Sequence, residues 1–124
     1  MKGENIRPPD IRERSFAFAI RIVKLCQSLN GESGASRVLS HQLLRAGTSI
    51  GANVEEAYGS QSKADFTSKL SIACKEARES HYWLRLLTAS ELIQEKQLHD
   101  LIDEANQLVA ILTTIVKKCR RPTV

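Results

Sequence analysis

Between residues 10 and 121 the chain has no proline; its three prolines are Pro8, Pro9 and Pro122. Proline lacks a backbone N–H and clashes with the preceding helical turn, so no residue in this long central stretch forbids a helix. The composition agrees. Of 124 residues 42% are hydrophobic and only 5% aromatic, which suits closely packed helices better than a β-sandwich. A chain of this length can enclose one core.

Four helical segments separate at local breaks. The first is expected over 10–29, with Asp10 as N-cap and Asn30-Gly31 as the stop. The second runs over 36–58 and stops at Gly59-Ser60. The third covers 62–90, where Ser62-Lys63-Ala64-Asp65 sets a carboxylate in the first turn. The fourth covers 94–119. It is acidic early (Glu95, Asp100, Asp103, Glu104) and basic late (Lys117, Lys118, Arg120, Arg121), which complements the helix dipole. The connections are short, so consecutive helices should be antiparallel neighbours, giving an all-α, up-and-down four-helix bundle in a single domain over 1–124.

Each segment carries an apolar seam. In the fourth it is Leu98, Ile102, Ala105, Val109, Leu112, Val116 and Cys119. In the third it is Phe66, Leu70, Ala73, Ala77, Leu84 and Thr88. The first offers Ile11, Phe18, Ile22, Leu25 and Leu29, and the second Leu39, Leu43, Ile50, Val54 and Ala57. Two helices have more apolar surface than one seam needs: Phe16, Ile20 and Val23 on the first, and Ile72, Trp83, Leu86 and Leu87 on the third. Either the core is wider there, or further copies of the chain cover these side chains. The second reading is the one expected, because large exposed apolar patches are uncommon on monomers.

The second helix holds two mid-helix glycines, Gly47 and Gly51, each costing up to about 1 kcal/mol relative to alanine. Such residues are tolerated where another backbone comes close. Beside them lies a polar row of Gln42, Arg45, Ser49, Asn53 and Glu56. Arg45 and Glu56 are three turns apart and must find partners elsewhere. The row reads as a solvated face or as a polar seam that fixes orientation against a neighbouring helix or subunit.

No catalytic or metal constellation emerges, and no enzyme or cofactor is expected. There is no Glu-x-x-His pair of the kind a di-metal bundle uses, and His99 follows Glu95 by four at the exposed start of a helix. Cys26, Cys74 and Cys119 have no paired spacing and read as reduced packing residues, which favours the cytoplasm. Arg37 and His41 approach the spacing of a HEPN-type helical ribonuclease but fall one residue short. A helix-turn-helix over 46–70 would need a shorter third helix. The N-terminal MKGENIRPPD shows no export signal, and no apolar run has the length of a membrane span.

The net charge of +4 is compatible with a polyanionic partner. Two basic rows are candidates for phosphate contact: Arg14, Arg21 and Lys24 on the first helix, and Lys75, Arg78, Tyr82 and Arg85 on the third. In the latter an aromatic sits among the cations and is able to stack on an unpaired base. A solvated charged face is the competing reading of either row, and a protein-binding scaffold is the competing class of function.

The segment from Gln42 through Arg45, Ala46, Gly47, Ser49, Ile50, Ala52, Asn53, Val54, Glu55 and Glu56 to Ala57 resembles the signature of the four-helix bundle proteins encoded in 23S ribosomal RNA intervening sequences. Ser62-Lys63 to Phe66, Leu70 to Ala73, and Glu76-Ala77-Arg78-Glu79 with Tyr82-Trp83-Leu84 resemble the family's third helix. The likeness spans roughly residues 10–118. It implies a homopentamer and, as in related bundles that serve as accessory proteins of retroelements, a basic pentamer that associates with nucleic acid, RNA or DNA, and a reverse transcriptase. It carries no catalytic residues. Gly47 and Gly51 depart from it, standing where larger residues are common.

Overall fold

The computed structural model describes residues 10–29 and 34–122. Four helices make up the fold: α1 (Ile11–Ser28), α2 (Ala35–Tyr58), α3 (Lys63–Ala89) and α4 (Glu95–Cys119). The expected boundaries agree within one residue at every described end. The Asn30-Gly31 stop lies outside the described residues.

The starts of α1 and α3 are set by the side chains that the sequence suggests. Asp10 accepts the Glu13 backbone N–H at 2.9 Å, and Glu13 accepts the Asp10 N–H in return, closing a capping box. The Ser62 hydroxyl accepts the Asp65 backbone N–H at 3.0 Å. In its last turn α4 carries Lys117 and Lys118, whose charge complements the helix dipole.

Each helix packs on its chain neighbours, and α1 closes loosely onto α4. Cross-helix contacts fix the antiparallel sense. Cys74 on α3 meets Val109 and Thr113 of α4, while Ser71 meets Arg120. One buried cluster results, with Phe18, Ile22, Leu43, Ile50, Leu70, Leu84, Leu98, Leu108 and Leu112 fully enclosed. Each such side chain contributes about 1.5–3 kcal/mol by leaving water.

The seam on α3 is wider than its simple heptad. Leu87 is 0% exposed and is a core residue, not an outward one. Trp83 is half-buried against the same core, and Leu86 is partly buried. The physical reason is that α3 has a neighbour on both sides, α2 and α4, so a broader arc of it is covered. Only Ile72 of that expected outward set is exposed. On α1 the outcome differs: Phe16 is 64% exposed, Ile20 42% and Val23 38%.

The two glycines of α2 face α1. A Cβ at Gly47 would stand 2.9 Å from both Cγ1 and Cγ2 of the buried Ile22. One at Gly51 would stand 3.3 Å from the Ser15 carbonyl oxygen. Small residues here let the α1 and α2 backbones approach, with Ser15 itself buried in the contact. The local helix-propensity cost is offset by tertiary packing.

Candidate nucleic-acid interface

The polar row of α2 divides into separate units. Arg45 crosses to α3, where its guanidinium pairs with Glu76 at 3.2 Å and with Glu79. Gln42 accepts from Arg45 on the same helix, and the Trp83 indole N–H donates to Glu79 at 2.9 Å. Arg45 thus ties α2 to α3 within one chain. Ser49 and Asn53 instead bond each other, the Asn53 amide donating to the Ser49 carbonyl and hydroxyl. Glu56 is exposed, about one turn beyond that bonded set.

Truncating Arg45 leaves two partly buried carboxylates side by side. Arg45→Ala should therefore cost about 1–2 kcal/mol, the low range for a charged hydrogen-bonded group because half of the Arg45 side chain remains in water. Chemical denaturation of the variant checks this, and an unchanged midpoint would remove the latch role.

The two basic rows fare differently. On α1, Arg14 is engaged: its Nε and Nη2 donate to the Glu104 carboxylate at 3.0 and 2.6 Å, and Nη2 also to Gln107 at 2.7 Å. The hydrogen bond to Glu104 raises the Arg14 pKa above its ordinary value against a smaller loss from burial. Arg14 pins α1 to α4, and its charge is matched by Glu104. Arg21 and Lys24 stay exposed without it. On α3, Lys75, Arg78, Tyr82 and Arg85 are all exposed, and none of the three cations has an ion pair among the described residues.

Antiparallel packing adds to the α3 row what its own sequence does not show. The basic end of α4 lies beside the first half of α3, and between them runs a groove of about 680 Å³ lined by Lys63, Thr67, Ser68, Ser71, Ile72, Lys75, Cys119 and Arg120. It adjoins a second hollow bounded by Ser71, Cys74, Arg78, Thr113, Lys117 and Arg120. Five cationic side chains (Lys63, Lys75, Arg78, Lys117 and Arg120) and four hydroxyl groups line the pair, and no carboxylate does. Arg120 is held in place by donating to the Ser71 hydroxyl at 3.1 Å. Lys63, Lys117 and Arg120 are the residues that reading single helices missed. The signal was present in the antiparallel order, which puts the end of the fourth helix beside the start of the third.

Other titratable groups sit in packing roles. Burial raises the Cys26 thiol pKa, although its Sγ reaches the Ser40 carbonyl. Burial and then the nearby Arg85 charge lower the His81 pKa. Arg37 and His41 line a shallow groove between the end of α1 and the start of α2, with Val23, Gln27 and Leu44. Among the described residues no group of three His, Cys, Asp or Glu could hold a metal ion, and no helix is long and apolar enough to cross a membrane.

Comparison with known proteins follows the same lines. No match emerges among curated proteins. The chain is similar to a crystal structure of a protein with unknown function from the S23 ribosomal protein family of Bacteroides thetaiotaomicron. The two share 42% sequence identity at a TM-score of 0.80, over 87% of this chain and 99% of that one. The family model described as 23S rRNA-intervening sequence protein matches residues 9–114. With that match spanning α1 to α3, most of α4 and the α2 signature, the chain belongs to the 23S rRNA-intervening sequence protein family.

Proposed function

We propose that this protein is a non-enzymatic, self-assembling nucleic-acid-binding protein of the cytoplasm that holds RNA phosphates in the α3–α4 groove. The observation that carries this reading is the run of five cations with no carboxylate along that groove. Lysine and arginine there meet phosphate oxygens, with the hydroxyl groups of Ser68 and Thr113 as further donors. A family description that names an rRNA insertion fits an RNA partner.

Self-assembly is supported by the apolar strip of Phe16, Ile20 and Val23 on α1, joined by exposed Leu44 on α2. In a pentamer, five chains of +4 each place +20 on one particle, so individually weak contacts gain avidity. Binding should then depend on charge and shape, with little preference for sequence.

Titrating the purified protein with structured RNA at low and fourfold higher salt tests the reading. Three to five phosphate contacts should weaken binding about 20- to 500-fold across that salt change. A double variant Lys75→Glu with Arg120→Glu should lose about 100-fold more at low salt, with its circular dichroism unchanged. Absence of binding at low salt would eliminate the proposal. Salt-insensitive capture of a protein would favour the scaffold reading instead.

A further inference from the structure

Resting on the phosphate-binding reading above, we infer that α3 selects nucleic acid with unpaired bases, one of which stacks on Tyr82. Tyr82 is 49% exposed and stands between Arg78 and Arg85 on the same side of α3. At the helical rise, Lys75, Arg78, Tyr82 and Arg85 span roughly 15 Å, with cations about 4.5–6 Å before and after the ring. That brackets the aromatic with phosphate-binding groups on both sides, as a strand threading past a stacked base requires.

The ring is also held ready. Trp83 meets it edge-on, with centroids 5.1 Å apart and planes at 71°. Trp83 is itself fixed through its indole N–H to Glu79, which Arg45 holds from α2. The Arg85 guanidinium carbon lies 5.9 Å from the Tyr82 centroid. A ring backed in this way loses little freedom on binding.

Duplex and single strand differ in what they can offer this platform. Inside a duplex both faces of each base are covered by its neighbours, so away from the two terminal pairs Tyr82 has nothing to stack on. An unpaired base presents a free face, and every base has one, so such binding tolerates any sequence. The cations serve either substrate; the tyrosine serves only one.

The test uses the full chain and labelled oligonucleotides of about a dozen nucleotides: single-stranded RNA, single-stranded DNA of the same sequence, and a blunt RNA duplex. Wild-type protein should bind both single strands more tightly than the duplex. Tyr82→Ala should weaken single-strand binding about 5- to 150-fold and leave duplex binding unchanged, while Tyr82→Phe keeps wild-type affinity. Emission of Trp83, the one tryptophan in the chain, should change on adding single strands and stay constant with duplex. A gap between RNA and DNA strands would assign recognition of the 2′-hydroxyl in addition to stacking. Equal affinity for duplex and single strand, or equal losses on both in Tyr82→Ala, would overturn base stacking while salt-dependent binding kept the groove reading intact. No binding to any of the three would end both.

Discussion

Gly47→Leu should lower the unfolding free energy by about 1–3 kcal/mol or more, and even Gly47→Ala should fail to stabilise the protein. On an open helix face, replacing a mid-helix glycine with alanine gains up to about 1 kcal/mol. Here the new Cβ would press at 2.9 Å on Ile22, which is itself 0% exposed and part of the core cluster. Interiors at crystal-like density transmit such a push into the backbone, so the α1–α2 contact must open. Leucine adds three more carbons to the same spot. Each kcal/mol is worth about 4 °C of melting temperature in a domain of this size, so the shift is easily read. Gly59→Ala is the internal control. Its Cβ would lie 3.7 Å from the Glu55 carbonyl oxygen, an ordinary contact, and its φ of −94° suits alanine. Thermal and urea denaturation of the three variants decide the matter; a Gly47→Ala protein more stable than the parent would show that α1 and α2 do not need the close approach.

A Phe16→Glu, Ile20→Glu double variant should run as single 13.8 kDa chains in light scattering while keeping the melting behaviour of the individual bundle. This prediction belongs to the proposed self-assembly. Phe16 is 64% and Ile20 42% exposed on the isolated chain, and neither belongs to its core cluster. Covering them against another copy would gain about 1.5–3 kcal/mol each, and glutamate would replace that gain with a buried unpaired charge. Dissociation should therefore become easier by about 100-fold or more. Leu87→Glu provides the contrast, because that side chain is enclosed in the bundle and its loss should unfold the chain. Wild-type protein that is monomeric at micromolar concentration would refute the assembly.

Linear patterns made the helices legible. A proline-free stretch, four seams at helical period, and caps at Asp10 and Ser62 depend on residues within a turn or two of one another, and the structure places all four helices accordingly. Side-chain partnership was less legible, because it depends on which helix lies opposite. In the sequence Arg14 reads as a candidate for phosphate contact and Arg45 as a member of a polar row without a named partner. One pairs with Glu104, ninety residues away, and the other with Glu76 and Glu79. The α3 row of the candidate interface could be read from spacing alone, whereas its α4 half could not.

The amino-acid order by itself determined that this chain forms four amphipathic helices with room for one core, since helix formation and apolar periodicity are local properties of the chain. Only the tertiary structure decided that Leu87 turns inward, that Gly47 and Gly51 admit a neighbouring backbone, and that Lys117 and Arg120 join Lys63, Lys75 and Arg78 along two adjoining hollows. Those outcomes follow from which surfaces meet once the helices pack antiparallel, and charge or bulk on one helix takes its meaning from the helix set against it.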